Sequence, residues 1–275
     1  MKYLKNFIKV LVWPILLWIG QFLIQYIFIY AFNLDKTKLL KKLNPELNNN
    51  EINDLLIELI KTNDYKNELN NYINSKSLLI IFLVFIILIP IFYKVFKKYK
   101  TNNKIKKENI IIIILLGISI SLIYNVCMFN LNNIVNFTNQ FKLNNINIFV
   151  QILGSGIIGP ILEELVFRGI VYNKLKSFNK PITSIIITSI IFSIMHTSLL
   201  NIPYAFILSL VLIYIYEKNK TLKAPILLHI SANTIIILLM PIILNNILIL
   251  NYSILFISII VLLLIYLKII KKDVY

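Results

Sequence analysis

The sequence predicts an all-α, polytopic transmembrane helical bundle of about eight spans with both termini cytoplasmic, and three observations carry that reading. Hydrophobic residues make up 58% of the 275 positions and mean hydropathy is +0.79, whereas soluble domains are only ~45–50% apolar. Charge-free runs recur, as in Leu78–Tyr93, Ile110–Tyr124, Ile182–Met195 and Ile254–Tyr266; a helix crosses a bilayer with ~20 mostly apolar residues, so several runs mean several spans. Lysine clusters alternate with nearly uncharged connections, the pattern of cytoplasmic and external loops. The alternating polarity of a membrane barrel is absent.

The elements follow in order. Lys2, Lys5 and Lys9 precede an apolar stretch from Val10. It is too long for a signal h-region and lacks a small-x-small cleavage site, so it is read as a retained first span. The predicted spans are 10–34, 77–93, 109–131, 148–173, 182–197, 203–216, 224–244 and 251–267. Between the second and third lies the Lys-rich stretch Lys94–Glu108. Lys174, Lys176 and Lys180, then Lys218, Lys220 and Lys223, fill the next inward connections, and Lys268, Lys271 and Lys272 lie near the end. The connections 132–147, 198–202 and 245–250 carry a single charge, Lys142. The segment 35–76 is predicted to be a long external loop with seven Lys against seven acids. Within it, Ile52, Leu55, Leu56, Leu59 and Ile60 follow the spacing of an amphipathic helix. No internal repeat of the transporter kind is evident.

The formal charge of +16 does not indicate a nucleic-acid partner, because the excess lies in lysines between apolar runs. Cys127 is the single cysteine, so no intramolecular disulfide can form.

Ionisable groups inside spans are costly and mark function. Here they are few: Glu163, Glu164 and Arg168 in the fourth span, His196 at the end of the fifth and His229 in the seventh, with Asn233 one turn on. These are the only two histidines, and Arg168 is the single arginine among 28 basic residues. Residues four apart share a helix face. Glu164 and Arg168 therefore pair, and a guanidinium can hold a carboxylate by two bonds where an ammonium cannot. Glu163, turned ~100° away, is free to face something else. His229 and Asn233 can address one point together. Gly154, Gly156 and Gly159 permit close helix approach, and Pro160 opens the backbone before Glu163. The bland readings are a structural ion pair for Glu164–Arg168 and a satisfied core residue for either histidine taken alone.

The strings Glu163-Glu164-x-x-x-Arg168, Phe192-x-x-x-His196 and His229-x-x-x-Asn233 together resemble the CPBP family, the CAAX-protease and bacteriocin-processing membrane endopeptidases also called Abi proteins. The resemblance covers about 145–240. It divides the chain into 1–145, with three spans and the loop 35–76; a catalytic core, 146–245; and 246–275, the last span and basic tail. It implies peptide-bond hydrolysis in a multi-pass protein of the cell membrane, acting on a peptide precursor or membrane-protein substrate. In that reading Glu163 activates water, His196 helps to hold it, His229 and Asn233 donate to the oxyanion, and Arg168 orients Glu164. No cofactor is required. The zinc alternative places the ion on Glu163, His196 and His229, although there is no His-Glu-x-x-His motif. The other classes are a non-catalytic immunity or peptide-binding protein of the same fold and a transporter with an intramembrane proton site, which the lack of repeats disfavours. Counting ~1.5 Å per residue from flanking lysines sets Glu163, His196 and His229 at unequal depths of ~15, ~24 and ~9 Å. The Lys-, Ile- and Asn-rich composition suits an AT-rich bacterium, where prenylated CAAX substrates are not expected.

Overall fold

The computed structural model describes residues 2–97, 103–135, 147–196, 201–245 and 248–273, and among these there are nine helices and no strand. They are α1 (Lys2–Leu43), α2 (Asn49–Lys61), α3 (Asn63–Phe96), α4 (Lys107–Val135), α5 (Ile148–Lys176), α6 (Pro181–Ile194), α7 (Asn201–Asn219), α8 (Lys223–Leu244) and α9 (Leu248–Asp273). Every helix but α2 coincides with a predicted span, and six of them are long and apolar enough to cross a membrane. The connections 132–147 and 198–202 and the lysines at 98 and 100 fall largely outside the described residues.

The bundle shows large apolar side chains outward, among them Phe22, Leu23, Ile27, Phe256 and Leu264. Such a surface is stable against lipid and unstable against water. One core joins α1, α3, α5, α6 and α7 through Leu17, Phe92, Leu162, Phe167, Phe192 and Ile213. A second joins α4, α7, α8 and α9 through Ile113, Leu116, Leu212, Leu228 and Ile265. Helix α7 contributes to both, which accounts for its burial from Ala205 to Tyr216.

The segment 35–76 is not a loop. Helices α1 and α3 run on past their apolar stretches, and only Asn44–Asn48 and Thr62 interrupt the helix. The two helices are antiparallel, with Trp13 against Phe92 at one end and Phe32 against Tyr65 and Tyr72 toward the other. Beyond the apolar part, Tyr65 bonds to Asn33 and Lys36 pairs with Glu68. Two of the charges of the expected external loop, Lys36 and Glu68, thus join the two helices. The amphipathic helix expected there is α2. Asn48 caps it through a capping box with Glu51, satisfying amides that would otherwise be orphaned, and Ile52 is buried beneath it.

Candidate active site

Helix α5 carries the densest intramembrane polar cluster, and its backbone is not a regular α-helix. Ile152–Ile158 and Phe167–Tyr172 are π-helical, with Gly159–Val166 between them in α geometry. Pro160 has no N–H to bond back along the helix, and the Gly159 N–H reaches five residues back to the Gly154 carbonyl. A π turn widens the helix and shifts the side chains that follow out of the 3.6-residue register, a device common at functional sites. Gly156 lies where α5 meets α8, and a Cβ there would stand 3.0 Å from the Thr234 hydroxyl.

Glu164 and Arg168 are both fully buried. Arg168 Nη1 donates to Glu164 Oε1 at 2.8 Å, and Nη2 donates to Ser209 Oγ at 2.7 Å. The guanidinium fork is thus split between α5 and α7, not placed bidentately on Glu164 as the spacing suggested. Its flat face lies over the Phe192 ring at 4.6 Å. Glu164 Oε1 also meets His229 Nδ1 at 2.9 Å. A carboxylate accepts, so Nδ1 carries the proton and Nε2 points away from Glu164. Glu164 therefore joins Arg168 to the histidine of α8.

Glu163 faces elsewhere, as its offset around the helix requires. Its side chain keeps 26% exposure where Glu164 has none. Its Oε2 is buried without a hydrogen-bond partner among the described residues and lies 3.8 Å from His229 Nε2. A buried, unpaired carboxylate oxygen is costly. Here it points at the free nitrogen of an oriented imidazole.

His196 follows the last turn of α6. Its Nδ1 donates to the Phe192 carbonyl at 2.9 Å, which leaves Nε2 open. Phe192 sits between the two histidines, its centroid 4.9 Å from His196 and 6.0 Å from His229. The depth mismatch expected between them does not separate them, because both line one cavity of about 250 Å³ with Ser121, Tyr204 and Asn233. Glu163 lines a second cavity of about 420 Å³ between α1, α3 and α5. Ser155 and Asn233 border both cavities, and Asn233 Nδ2 donates to the Ser155 carbonyl at 3.0 Å. All six predicted residues thus lie in or beside one polar centre, with Asn233 at the wall between its two spaces.

The motifs did not single out Ser209, Tyr204, Ser121 or Asn125. Ser121 and Asn125 stand four apart in an apolar helix, a usable signal, and Tyr204 donates to the Ser121 hydroxyl at 3.1 Å. Ser209 has no such mark. The set named for zinc does not fit a metal as placed: among the described residues no three His, Cys, Asp or Glu side chains are grouped as ligands.

Comparison with known proteins agrees with the motifs. Residues 145–235 match the Rce1-like family, described as type II CAAX prenyl endopeptidases. The membrane peptidase YdiL of Bacillus subtilis, whose assignment is itself putative, is 30% identical over 90 residues, 33% of this chain and 37% of its own length. The membrane-embedded CAAX protease MroQ of Staphylococcus aureus is 33% identical over 88 residues, 30% of this chain and 36% of its own. The UPF0177 protein YaiH of Lactococcus lactis is 34% identical over 89 residues, 32% of this chain and 36% of its own. The chain thus matches little more than a third of the length of these relatives. No solved structure matches. The resemblance to the CAAX-protease and bacteriocin-processing family is borne out over the segment that carries α5 to the middle of α8.

Proposed function

We propose that the protein is an intramembrane endopeptidase in which Glu163 activates the attacking water. The observation that carries this reading is the contact between the unpaired Glu163 Oε2 and His229 Nε2, at the edge of two cavities. Charge balance supports it. Glu163 and Glu164 bring two negative charges and Arg168 one positive, so one proton between Glu163 and His229 makes the buried cluster neutral. With that proton on His229, Glu163 is a carboxylate able to take a proton from water.

The steps follow the placement of these groups. Glu163 removes a proton as the water oxygen attacks the scissile carbonyl carbon. The carbonyl oxygen gains the displaced electron pair and is stabilised by donors at the cavity wall, His229 Nε2–H and Asn233 Nδ2–H. Collapse of the tetrahedral intermediate breaks the C–N bond, and Glu163 returns its proton to the leaving amine. His196 Nε2 holds the water from the other cavity. Glu164, Arg168 and Ser209 fix the His229 tautomer and touch no substrate. The substrate class this reading favours is a peptide precursor or membrane-protein tail.

One feature favours the zinc alternative: a carboxylate on Nδ1 is also how a histidine is aimed at a metal through Nε2. Among the described residues no three such donors form a ligand group, and the metal-free reading is retained. The test is peptide cleavage in proteoliposomes, with metal content determined on the same samples. Glu163→Gln keeps the shape and should abolish cleavage while the protein remains inserted and folded. Near-normal turnover in that variant would remove Glu163 as the base. Stoichiometric zinc in the wild type, lost with activity in His196→Ala and His229→Ala, would replace the metal-free mechanism.

A further inference from the structure

The cavity of about 420 Å³ extends from Glu163 along α5 toward Gln151, and along α1 from Gln21 to Gln25. Its α3 wall runs from Val84 to Ser77. It therefore reaches from the reacting carboxylate toward the end of the bundle where α1 and α3 continue as a hairpin. Gln21 and Gln25 are the only polar side chains between Val10 and Phe32 other than the aromatic Trp and Tyr. Both line the cavity, and neither has a hydrogen-bond partner among the described residues. An amide group held in a bilayer without a partner is destabilising, and apolar side chains would serve α1 better as a lipid-facing span.

We propose that this cavity is a groove for an extended stretch of substrate chain, and that Gln21 and Gln25 hydrogen-bond its peptide groups. The inference rests on the endopeptidase reading of Glu163 and adds a recognition element from outside the family-matched segment. Four residues of α-helix rise ~6 Å, and two residues of extended chain rise ~6.6–6.8 Å. Two glutamines one turn apart therefore meet alternate peptide units. Each amide offers both donor and acceptor, which is what a peptide group needs. An extended chain in a bilayer lacks the internal hydrogen bonds of a helix, so these partners are required where water is absent. Ile80, Ile81, Ile158 and Leu162 form the apolar part of the remaining wall, which Ser77, Gln151, Ser155 and Asn233 interrupt, and they favour substrate segments with aliphatic side chains. Recognition is then of backbone and general hydrophobicity, with little sequence dependence at these positions.

The probe is a randomised pool of lipid-anchored fluorescent decapeptides with aliphatic side chains, added to the full-length protein in nanodiscs. Binding is read in the uncleaving Glu163→Gln background, with and without Gln21→Leu and Gln25→Leu. The double leucine variant should bind at least about tenfold more weakly, as the loss of two hydrogen bonds implies. Tyr26→Leu, on the lipid face of the same helix (58% exposed), should bind as the parent does, which excludes a general effect on α1. Thermal unfolding in detergent checks that the leucine variants fold; apolar replacements of unpartnered amides should not lower it. Equal affinity with and without the glutamines, or no binding to either protein, overturns the groove. Cleavage of the same pool by the wild type is measured in parallel. Glutamine-dependent binding without cleavage would sink the endopeptidase reading and leave the groove standing.

Discussion

At Arg168 a single side chain does three things that no other residue type combines. Its donors divide between Glu164 on its own helix and Ser209 on α7, and its face lies on Phe192. An ammonium in its place keeps the charge but cannot span both acceptors or stack. Arg168→Lys should therefore destabilise the protein by about 2 kcal/mol or more, and Ser209→Ala by about 1 kcal/mol, measured as thermal unfolding in detergent. Glu164→Gln should cost more, about 3–5 kcal/mol, because it leaves a buried guanidinium unbalanced. An Arg168→Lys protein as stable and active as the wild type would refute this account of the guanidinium. Position 168 is legible in the sequence alone, as the one arginine among 28 basic residues. Ser209 is not, because hydroxyls occur through many apolar helices and often bond only to their own backbone, as Ser193 and Thr188 do. The groups around Glu163 are legible by type, but their division between two cavities is not, since that depends on how three helices cross.

At the scale of elements, the site depends on how closely α8 approaches its neighbours. A Cβ on Gly117 of α4 would overlap the Leu228 carbonyl oxygen and the Ser231 hydroxyl of α8. Backbone cannot move aside as a side-chain tip can. Gly117→Ala should thus cost about 1–3 kcal/mol and also lower activity, because His229 follows Leu228 directly. Gly20→Ala meets only the flexible end of Leu88 and should be milder. Similar melting temperatures for the two variants would show that α4 and α8 have more room than this packing gives them. A second contact joins α5 to α7 just beyond the apolar stretch 203–216, where Glu217 pairs with Lys176 and Lys220. Burial pushes the Glu217 carboxyl up, but the two lysines outweigh it and hold it below its ordinary value of 4.5. A depressed carboxylate contributes stability above its unfolded-state pKa and loses it as pH falls through the folded one. The wild type should therefore exceed Glu217→Gln in stability at pH 7, and the difference should shrink once pH falls below the ordinary glutamate value and vanish only below the depressed folded one. A difference that persisted unchanged to acid pH would refute the ion-pair origin. The helices themselves are legible from apolar run length. The π turns of α5 are not, because helical-wheel spacing assumes a uniform 3.6 residues per turn; Pro160 signals only that the register can break.

At the scale of the whole molecule, helix length forces one end of the bundle out of the bilayer. Helix α1 has 42 residues, or ~63 Å at ~1.5 Å per residue, against a hydrocarbon core of ~30 Å. The excess is the hairpin of α1 and α3 capped by α2. Charge alone could not reveal this, since balanced Lys and acidic residues suit a solvated loop and a paired helical hairpin equally. The opposite end of the bundle is identified by its lysines. Lys174 lies over the ring of Trp13 near the start of α1, and Lys176 and Lys220 meet Glu217. The connections after α5 and α7 therefore lie together at the end away from the hairpin. Short lysine-rich connections stay in the cytoplasm, while longer segments translocate with little regard to charge. That rule predicts an external hairpin, with the proposed groove of Gln21 and Gln25 opening toward that side from Glu163. A membrane-impermeant thiol reagent added to intact cells should label a cysteine placed at Asn48, between α1 and α2. It should reach one placed at Asn179, between α5 and α6, only after permeabilisation. Both tests are made in a Cys127→Ser background so that no native thiol contributes. Labelling at Asn179 but not at Asn48 in intact cells would invert the orientation, and with it the side from which the substrate enters.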